Sequence, residues 1–277
     1  MLLENVTIGA ATWEKDFSTI LGTRYFELLF HSNLDCKRLL IINNIKERES
    51  IEDLLRNIPT DKLKMDIIWG ETTTDEVLKG FPGKKITRKS FITYTPIKKY
   101  IKSFFSNKRL KLKYDGFWYS IGPLTAIYKC NTKYLLYFTG DAHIENDKDF
   151  EWINEAIDIM EKDNSVISAS PVWNNLFDSA KAQSLGDYGN FYINNTFSDQ
   201  CFLIDVERVK SIKNFFNQKN KSVKIQYPIY ASSRSFECRV CSYLRNNNLK
   251  RIVYKNSSYI HEDFTEPVIK RYAEEKR

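Results

Sequence analysis

The stretch Lys133-Tyr134-Leu135-Leu136-Tyr137-Phe138-Thr139-Gly140-Asp141-Ala142-His143 decides the fold class. Its first half is a short apolar run, which is typical of a strand buried on both faces of a parallel sheet. Gly140 permits a sharp turn after that strand. Asp141 and His143 follow two residues apart, so in an extended segment they point the same way. Ligands of open α/β sheets bind beyond the carboxyl ends of the strands, so this turn is a candidate site.

Apolar runs and helical periodicity alternate on both sides of this stretch. The strands are predicted at 6–11, 38–42, 65–69, 133–138, 165–170, 201–205 and 251–254. The helices are predicted at 16–32, 47–56, 122–130, 149–162 and 235–247, with another beginning at Val206. Residues 171–198, rich in Asn, Ser, Asp and Gly, are expected to form a long irregular stretch. This pattern predicts an α/β, Rossmann-like fold, with a mostly parallel sheet, helices on both faces and a late, irregular half.

Composition narrows the class of protein. The chain has 277 residues, of which 42% are hydrophobic, as expected of a folded globular protein. Its net charge of +7 suits nucleic acid, an anionic membrane or phosphorylated small molecules, without choosing among them. Residues 1–11 lack the features of a secretory signal, and no apolar run reaches the length of a membrane span. Five scattered cysteines favour a reducing, cytoplasmic location.

The pair Asp141 and His143 predicts a divalent-metal site, because carboxylate and imidazole groups on one side of a loop are ligands of such ions. Mn²⁺ or Mg²⁺ is expected, and the imidazole favours Mn²⁺. His261, which follows the last predicted strand, becomes a third ligand if that strand ends beside the Asp141 loop. Otherwise it is a surface or capping histidine.

The order of these motifs resembles that of family 2 glycosyltransferases with the GT-A fold. In those enzymes a strand ends in an Asp-x-Asp motif that holds the metal of a nucleoside-diphosphate sugar. The Asp-x-His form found here resembles the variant of the polypeptide N-acetylgalactosaminyltransferases, whose metal also takes a later histidine. The similarity covers most of the chain and includes the motifs Ala11-Thr12-Trp13, Ile41-Ile42-Asn43-Asn44, Ser120-Ile121-Gly122-Pro123, Phe236-Glu237-Cys238, Tyr243-Leu244-Arg245 and Tyr259-Ile260-His261.

The resemblance implies a single domain, residues 1–277, with a nucleotide-sugar-binding half at 1–145 and an acceptor-binding, catalytic half at 146–277. It implies transfer of a sugar, with UDP-sugar as the favoured donor, to a glycan or lipid-linked saccharide acceptor. Asp141, His143 and His261 would hold the metal. The donor would be bound by Thr12, Trp13, Asn43, Gly122, Gly140 and Asp141.

The resemblance also implies an inverting reaction in which Glu237 takes the proton of the acceptor hydroxyl. Asp199 is the rival base, because it precedes the strand that faces the acceptor. Simpler structural roles stand beside these assignments. Glu237 suits the first turn of a helix, where a carboxylate is favourable, and Trp13 suits a buried core as well as a stack on the base.

The sequence departs from the family at Asn43, Asn44 and Glu14, where acidic residues and an asparagine are usual. The basic, aromatic segment 98–113 is compatible with an anionic membrane, a lipid phosphate or a solvated surface, and nucleic acid is the less favoured partner. If segment 98–113 binds an anionic membrane, the protein would make peripheral contact with the inner membrane face. Two other functions stay open, a sugar nucleotidyltransferase and a non-catalytic module that binds nucleic acid or membrane.

Overall fold

A computed structural model describes residues 2–13, 17, 35–43, 45–57, 65–83, 85–94, 97, 101, 113–144, 150–215 and 234–261. Its strands are β1 (Leu2–Trp13), β2 (Asp35–Asn43), β3 (Asp66–Trp69), β4 (Ile92–Tyr94), β5 (Lys113–Asp115), β6 (Tyr134–Thr139), β7 (Ala142–Ile144), β8 (Val166–Trp173), β9 (Gly186–Tyr188), β10 (Phe191–Asn194), β11 (Cys201–Asp205) and β12 (Lys250–His261). Its helices are α1 (Arg48–Arg56), α2 (Gly70–Gly80), α3 (Phe117–Lys129), α4 (Trp152–Lys162), α5 (Phe177–Ala182), α6 (Val206–Ser211) and α7 (Phe236–Asn246). A 3₁₀ turn covers Arg88–Phe91.

One sheet runs through the described residues in the order β3-β2-β1-β6-β11-β8-β12-β10-β9, and β7 pairs separately with β12. The neighbours β3, β2, β1 and β6 are parallel. Strand β11 runs antiparallel to both β6 and β8, and β12 runs parallel to β8. The strands β1, β2, β3, β6, β8 and β12 therefore end at the same edge of the sheet, where β11 begins. Strands β4 and β5 form a separate hairpin.

Alternation along the central strands builds two cores, one on each face of the sheet. In β6, Leu136 and Phe138 belong to the core under α1 and α4, while Leu135 and Tyr137 belong to the core under α3 and α7. All four side chains are buried, because successive strand residues point to opposite faces and both faces carry helices. The expected α/β architecture is confirmed. No helix among the described residues is both long and apolar enough to cross a bilayer.

Three local expectations were wrong or incomplete. Helix α3 begins at Phe117 rather than at 122, because the Asp115 carboxylate accepts a hydrogen bond from the Phe117 backbone N–H and starts the helix earlier. Helix α2 was not predicted, since Val77 and Leu78 are its buried apolar residues and they give no clear helical period.

The expectation of a long irregular stretch at 171–198 is also wrong. Strand β8 continues to Trp173, and α5, β9 and β10 follow. Strand β10 forms a local hairpin with β9 across Gly189 and Asn190, and it also pairs with β12. The second partner lies some sixty residues later in the chain, and no local pattern reveals that pairing.

Several expectations fall outside the described residues. They are the helix at 16–32 apart from Phe17, the segment 98–113 apart from Ile101 and Lys113, and the residues Glu14 and Asn44.

Candidate active site

The sequence-predicted site residues converge at the edge where the parallel strands end. Trp13 ends β1 and lies opposite Asn43 at the end of β2. Ala11 of β1 lies opposite Thr139 of β6, after which the chain turns at Gly140 and Asp141. Asp199 precedes β11, and the Thr139 backbone N–H donates to the Gln200 carbonyl at 2.9 Å, which ties the two segments together. Residues that are distant in sequence thus share one edge, as the parallel topology requires.

Asp141 and His261 are in direct contact. The Asp141 Oδ2 and His261 Nε2 atoms lie 3.1 Å apart, and both side chains keep partial solvent access. Strand β7 makes this contact possible, because it leaves the end of β6 and pairs with the end of β12, setting Ala142 opposite His261. The condition set for His261 is therefore met, because the last strand continues beyond the expected 251–254 to His261 and ends beside the Asp141 loop.

His143 takes a different position from the one expected. It is 8% exposed and lies opposite Ile260 in the antiparallel β7–β12 pair. Residues opposite each other in such a pair share a face, so His143 and His261, one residue apart in register, lie on opposite faces. Within the described part of the chain, no three His, Cys, Asp or Glu side chains form a group able to hold a metal ion. The structure brings Asp141 and His261 together, and His143 as a third ligand stays a prediction.

Two carboxylates, Asp199 and Glu237, form the acidic centre of this edge. Burial raises the pKa of Asp199 to about 6, and the charge of Asp141 adds to that rise while His261 opposes it. Burial likewise raises the pKa of Glu237 to about 8, with the charge of Asp199 as the second cause and the Arg251 cation as the opposing one. Both residues still keep some accessible surface.

Glu237 is held in the first turn of α7. The helix begins after Ser235, and the Phe236 backbone N–H donates to the Ser120 hydroxyl at 2.8 Å, while that hydroxyl donates to the Gly116 carbonyl at 2.6 Å. This chain of bonds ties the start of α7 to α3 and so fixes the position of the carboxylate. The positive end of the helix dipole favours the ionised form of Glu237 and so lowers its pKa. Burial raises the pKa, and its effect is the larger.

Arg251 is a partly buried cation whose charge acts on Glu237, and the sequence did not single it out. Its Nε atom is buried and makes no hydrogen bond, and burial lowers the pKa of its guanidinium. The positive charge favours the ionised form of Glu237. The signal in the sequence was an arginine next to an apolar strand, which is too common to interpret alone.

A cavity of about 510 Å³ opens beside Asn43. Gly70 at the start of α2 and Phe117, Trp118 and Ile121 of α3 line it. Three cations also line it, namely Lys79, Lys85 and Arg88. The sequence did not predict this cavity, because α2 was not predicted and α3 was expected to begin at 122 rather than at Phe117.

Asn43 is set in place by two glycines. A Cβ on Gly70 would meet the Asn43 Oδ1 atom at 2.4 Å, and a Cβ on Gly122 would meet the Asn43 Nδ2 atom at 3.1 Å. The Oδ1 atom is buried and has no hydrogen-bond partner in the structure. Asn43 therefore lines the cavity while its unused acceptor is buried against Gly70 rather than exposed to it.

The remaining predicted donor-binding residues divide into two kinds. Trp13 is 41% exposed at the edge, so it is not a core tryptophan. Thr12 is buried, and its hydroxyl donates to the Trp13 carbonyl at 3.3 Å, so it supports the end of β1. Gly122 is buried where α3 meets β1, and Gly140 forms the turn before Asp141.

Comparison with known proteins adds one finding on fold. The chain matches no protein-family model and no curated protein in sequence. Its structure is similar to that of GalNAc-T7, solved with UDP, GalNAc and Mn²⁺, with a TM-score of 0.51 and 10% identity over 95% of this chain and 45% of that chain. The fold is that of GT-A glycosyltransferases.

Two further solved structures are similar at lower scores. The mannosyltransferase PcManGT from Pyrobaculum calidifontis, solved with GDP-Man and Mn²⁺, has a TM-score of 0.47 and 9% identity over 95% of this chain and 57% of that chain. The galactosyltransferase LgtC, solved with donor and acceptor sugar analogues, has a TM-score of 0.40 and 11% identity over 97% of this chain and 94% of that chain. This chain spans less than half the length of GalNAc-T7.

Proposed function

We propose that this chain is a metal-dependent glycosyltransferase that moves a sugar from a nucleoside-diphosphate sugar to a saccharide acceptor with inversion at the anomeric carbon. The observation that carries the proposal is the contact between Asp141 and His261 at the carboxyl edge of a GT-A fold. UDP-sugar is the favoured donor. Residues 1–145 would bind it, and residues 146–277 would supply the base and the acceptor site.

The cavity beside Asn43 suits the nucleoside. Trp118 and Phe117 line it with aromatic rings, over which the Arg88 guanidinium lies. Asn43 lines the same cavity, and a rotation of its amide would offer a hydrogen bond to the edge of a base. The cations Lys79, Lys85 and Arg88 outnumber the one carboxylate of the lining, that of Asp75, and so favour an anionic ligand. Two strand spacings, roughly 10 Å, separate the end of β2 from the end of β6, so a ligand that begins at Asn43 extends towards Asp141.

Asp141 and His261 suit a divalent cation. A carboxylate oxygen and an imidazole nitrogen already in contact, both partly exposed, are a ligand pair for Mn²⁺ or Mg²⁺. The bound cation would neutralise the charge that develops on the diphosphate as it departs. Asn174 fixes His261 for this role, since its Oδ1 accepts from the His261 backbone N–H at 2.7 Å and its Nδ2 donates to the His261 carbonyl at 3.2 Å.

Glu237 is the proposed base. Its carboxylate takes the proton of the acceptor hydroxyl while that oxygen attacks the anomeric carbon, and the bond from this carbon to the diphosphate oxygen breaks. The nucleoside diphosphate leaves with the electron pair of that bond. Glu237 must be ionised to act, and the nearby Arg251 cation favours the ionised form.

A thermal-shift screen tests the donor assignment. The chain is heated with UDP, GDP, ADP and CDP, each with and without Mn²⁺ or Mg²⁺, because a ligand that binds the native state raises Tm. We expect a rise with UDP that needs the cation. UDP-sugars are then assayed for UDP release, and NMR of the product reports the anomeric configuration.

Three outcomes contradict the proposal. The first is that no nucleoside diphosphate raises Tm in the presence of either cation. The second is the release of pyrophosphate from a nucleoside triphosphate and a sugar phosphate, which would show a nucleotidyltransferase. Retention of configuration would reject the inverting role of Glu237 while leaving glycosyl transfer in place.

A further inference from the structure

An exposed apolar segment begins at the last residue of β8 and has no part in the proposed donor site. Trp173 and Leu176 are each 46% exposed, and Phe177 next to them is also exposed. Trp173 ends β8 at the same edge as Asp141, since β8 runs parallel to β12. A large aromatic ring left half-exposed beside a reactive centre is a candidate ligand surface.

The backbone here adopts a rare conformation. The Leu176 N–H donates to the Trp173 carbonyl at 2.9 Å, which closes a four-residue turn. Both central residues, Asn174 and Asn175, have positive φ, 46° and 57°. Asparagine tolerates this left-handed region better than other non-glycine residues, and two in succession form a turn of the primed type.

Hydrogen bonds to β12 hold this turn beside Asp141 and His261. The Asn174 N–H donates to the Tyr259 carbonyl at 2.8 Å, and the Asn174 side chain bonds both backbone groups of His261. The Asn175 N–H donates to the Ser258 hydroxyl at 2.7 Å, and that hydroxyl donates to the Val172 carbonyl at 2.9 Å. Trp173 directly precedes Asn174, whose side chain bonds to His261, so these hydrogen bonds fix the position of Trp173 relative to His261.

We propose that Trp173, Leu176 and Phe177 form the platform on which the acceptor sugar stacks during the proposed transfer. A pyranose ring has an apolar face of C–H groups, which packs on an aromatic ring, and a rim of hydroxyls, which needs polar partners. The exposed side chains of Asn175 and Asp178 lie within the same segment and supply those partners. A purely apolar partner such as a lipid chain would leave these polar groups without bonds. The Asn174 hydrogen bonds to His261 place the segment beside the proposed reaction centre, where the acceptor sugar must lie. This inference rests on the proposed function, because the sugar is placed relative to Asp141 and His261.

Acceptor kinetics test the platform. UDP release is measured with the donor identified by the screen and with methyl glycosides of glucose, galactose, mannose and N-acetylglucosamine as acceptors. In Trp173→Ala we expect the acceptor KM to rise by about threefold to tenfold, because the variant loses one aromatic contact with the sugar. The donor KM and the slow UDP release without acceptor should stay as in the wild type, and Trp173→Phe should restore most of the acceptor affinity. Tyr94→Ala, an exposed aromatic residue of the β4–β5 hairpin, is the matched control and should change neither KM.

The failures of the two proposals can be told apart. If the wild type releases UDP from no donor, the proposed function fails and the platform with it. If the wild type uses donor but no methyl glycoside speeds UDP release, the platform is overturned and the donor assignment survives. An unchanged acceptor KM in Trp173→Ala, or equal rises in the donor and acceptor KM, also overturns the platform, provided that Tm shows the variant to be folded.

Discussion

At the scale of single residues, the electrostatics of Asp141, Asp199 and Glu237 govern what this edge of the sheet can do. The three carboxyl groups interact with one another, and His261 and Arg251 are the cations or potential cations nearest to them. Removing one charge therefore changes both ligand binding and the protonation of the others. Two predictions follow from this arrangement.

The first concerns Asp141→Asn, which keeps the size of the side chain and removes its charge. We expect the cation-dependent rise of Tm with UDP to disappear, because the neutral amide is a poor ligand for Mn²⁺. Thermal shift with UDP, with and without Mn²⁺, measures it. Asp158→Asn on the exposed face of α4 is the control and should behave as the wild type. A wild-type response from Asp141→Asn would remove this residue from the metal site.

The second concerns the pH dependence of stability at Glu237. The pKa of this carboxyl is 4.5 when unperturbed and about 8 in the folded chain. The folded state thus binds more protons between these values, and the free energy of unfolding falls as pH rises through this window. Glu237→Gln removes that loss, so its Tm relative to the wild type should increase from pH 5 to pH 8.

Tm measured across that range checks the effect, with Glu207→Gln in the exposed part of α6 as the control. A difference between Glu237→Gln and the wild type that stays constant with pH would show that Glu237 ionises in the folded chain as it does in the unfolded one.

At the scale of elements, the approach of α3 to β1 decides the shape of the cavity beside Asn43. Gly122 is where they touch. A Cβ at this position would lie 2.8 Å from the Ala11 Cβ and 2.9 Å from the Tyr137 hydroxyl oxygen. The glycine thus permits the close packing that brings the start of α3 over Asn43.

The prediction for this element is that Gly122→Ala lowers the free energy of unfolding. Overpacking costs about 1–3 kcal/mol, which exceeds the gain of about 1 kcal/mol from alanine in a helix. Denaturant unfolding measures the change, and the cation-dependent affinity for UDP should fall too, since Asn43 is displaced. Tyr119→Ala, on the exposed surface of α3, should leave the UDP affinity unchanged. A stabilised Gly122→Ala would mean that α3 moves away from β1 at little cost.

At the scale of the whole molecule, the chain carries a net charge of +7, and three cations line the cavity. Such a surface attracts anionic ligands from a distance. Added salt screens this attraction, while contacts between a base and the cavity wall are largely insensitive to it.

We therefore expect the affinity for UDP to fall severalfold between about 0.1 M and about 1 M NaCl, as the Debye length shrinks from about 10 Å to about 3 Å. Uridine, which has no phosphate, is the matched ligand and should bind with little salt dependence. Calorimetric titration of both ligands measures this. Equal salt dependence of UDP and uridine would argue against a role for the cavity's cations in binding phosphate.

The local pattern of residues was enough to place the central strands and the turn after β6. The run 133–138 is apolar at every position except its first, and Gly140 ends it, so burial on both faces and a site beyond the strand followed from alternation and turn chemistry alone. Parallel topology then placed Trp13, Asn43 and Asp141 at one edge. The central strands could be placed in this way because their burial on both faces appears in the sequence as a continuous run of apolar residues.

Long-range pairing settled what the local pattern left open. Strand β7 crosses to β12, and this register brings His261 to Asp141 while it turns His143 to the opposite face. The cavity required α2 and α3 to meet, and the turn at Trp173 required hydrogen bonds from β12. These features depend on contacts between segments far apart in the chain, whose register is set by the packing of the whole sheet and leaves no periodic signal in any one segment.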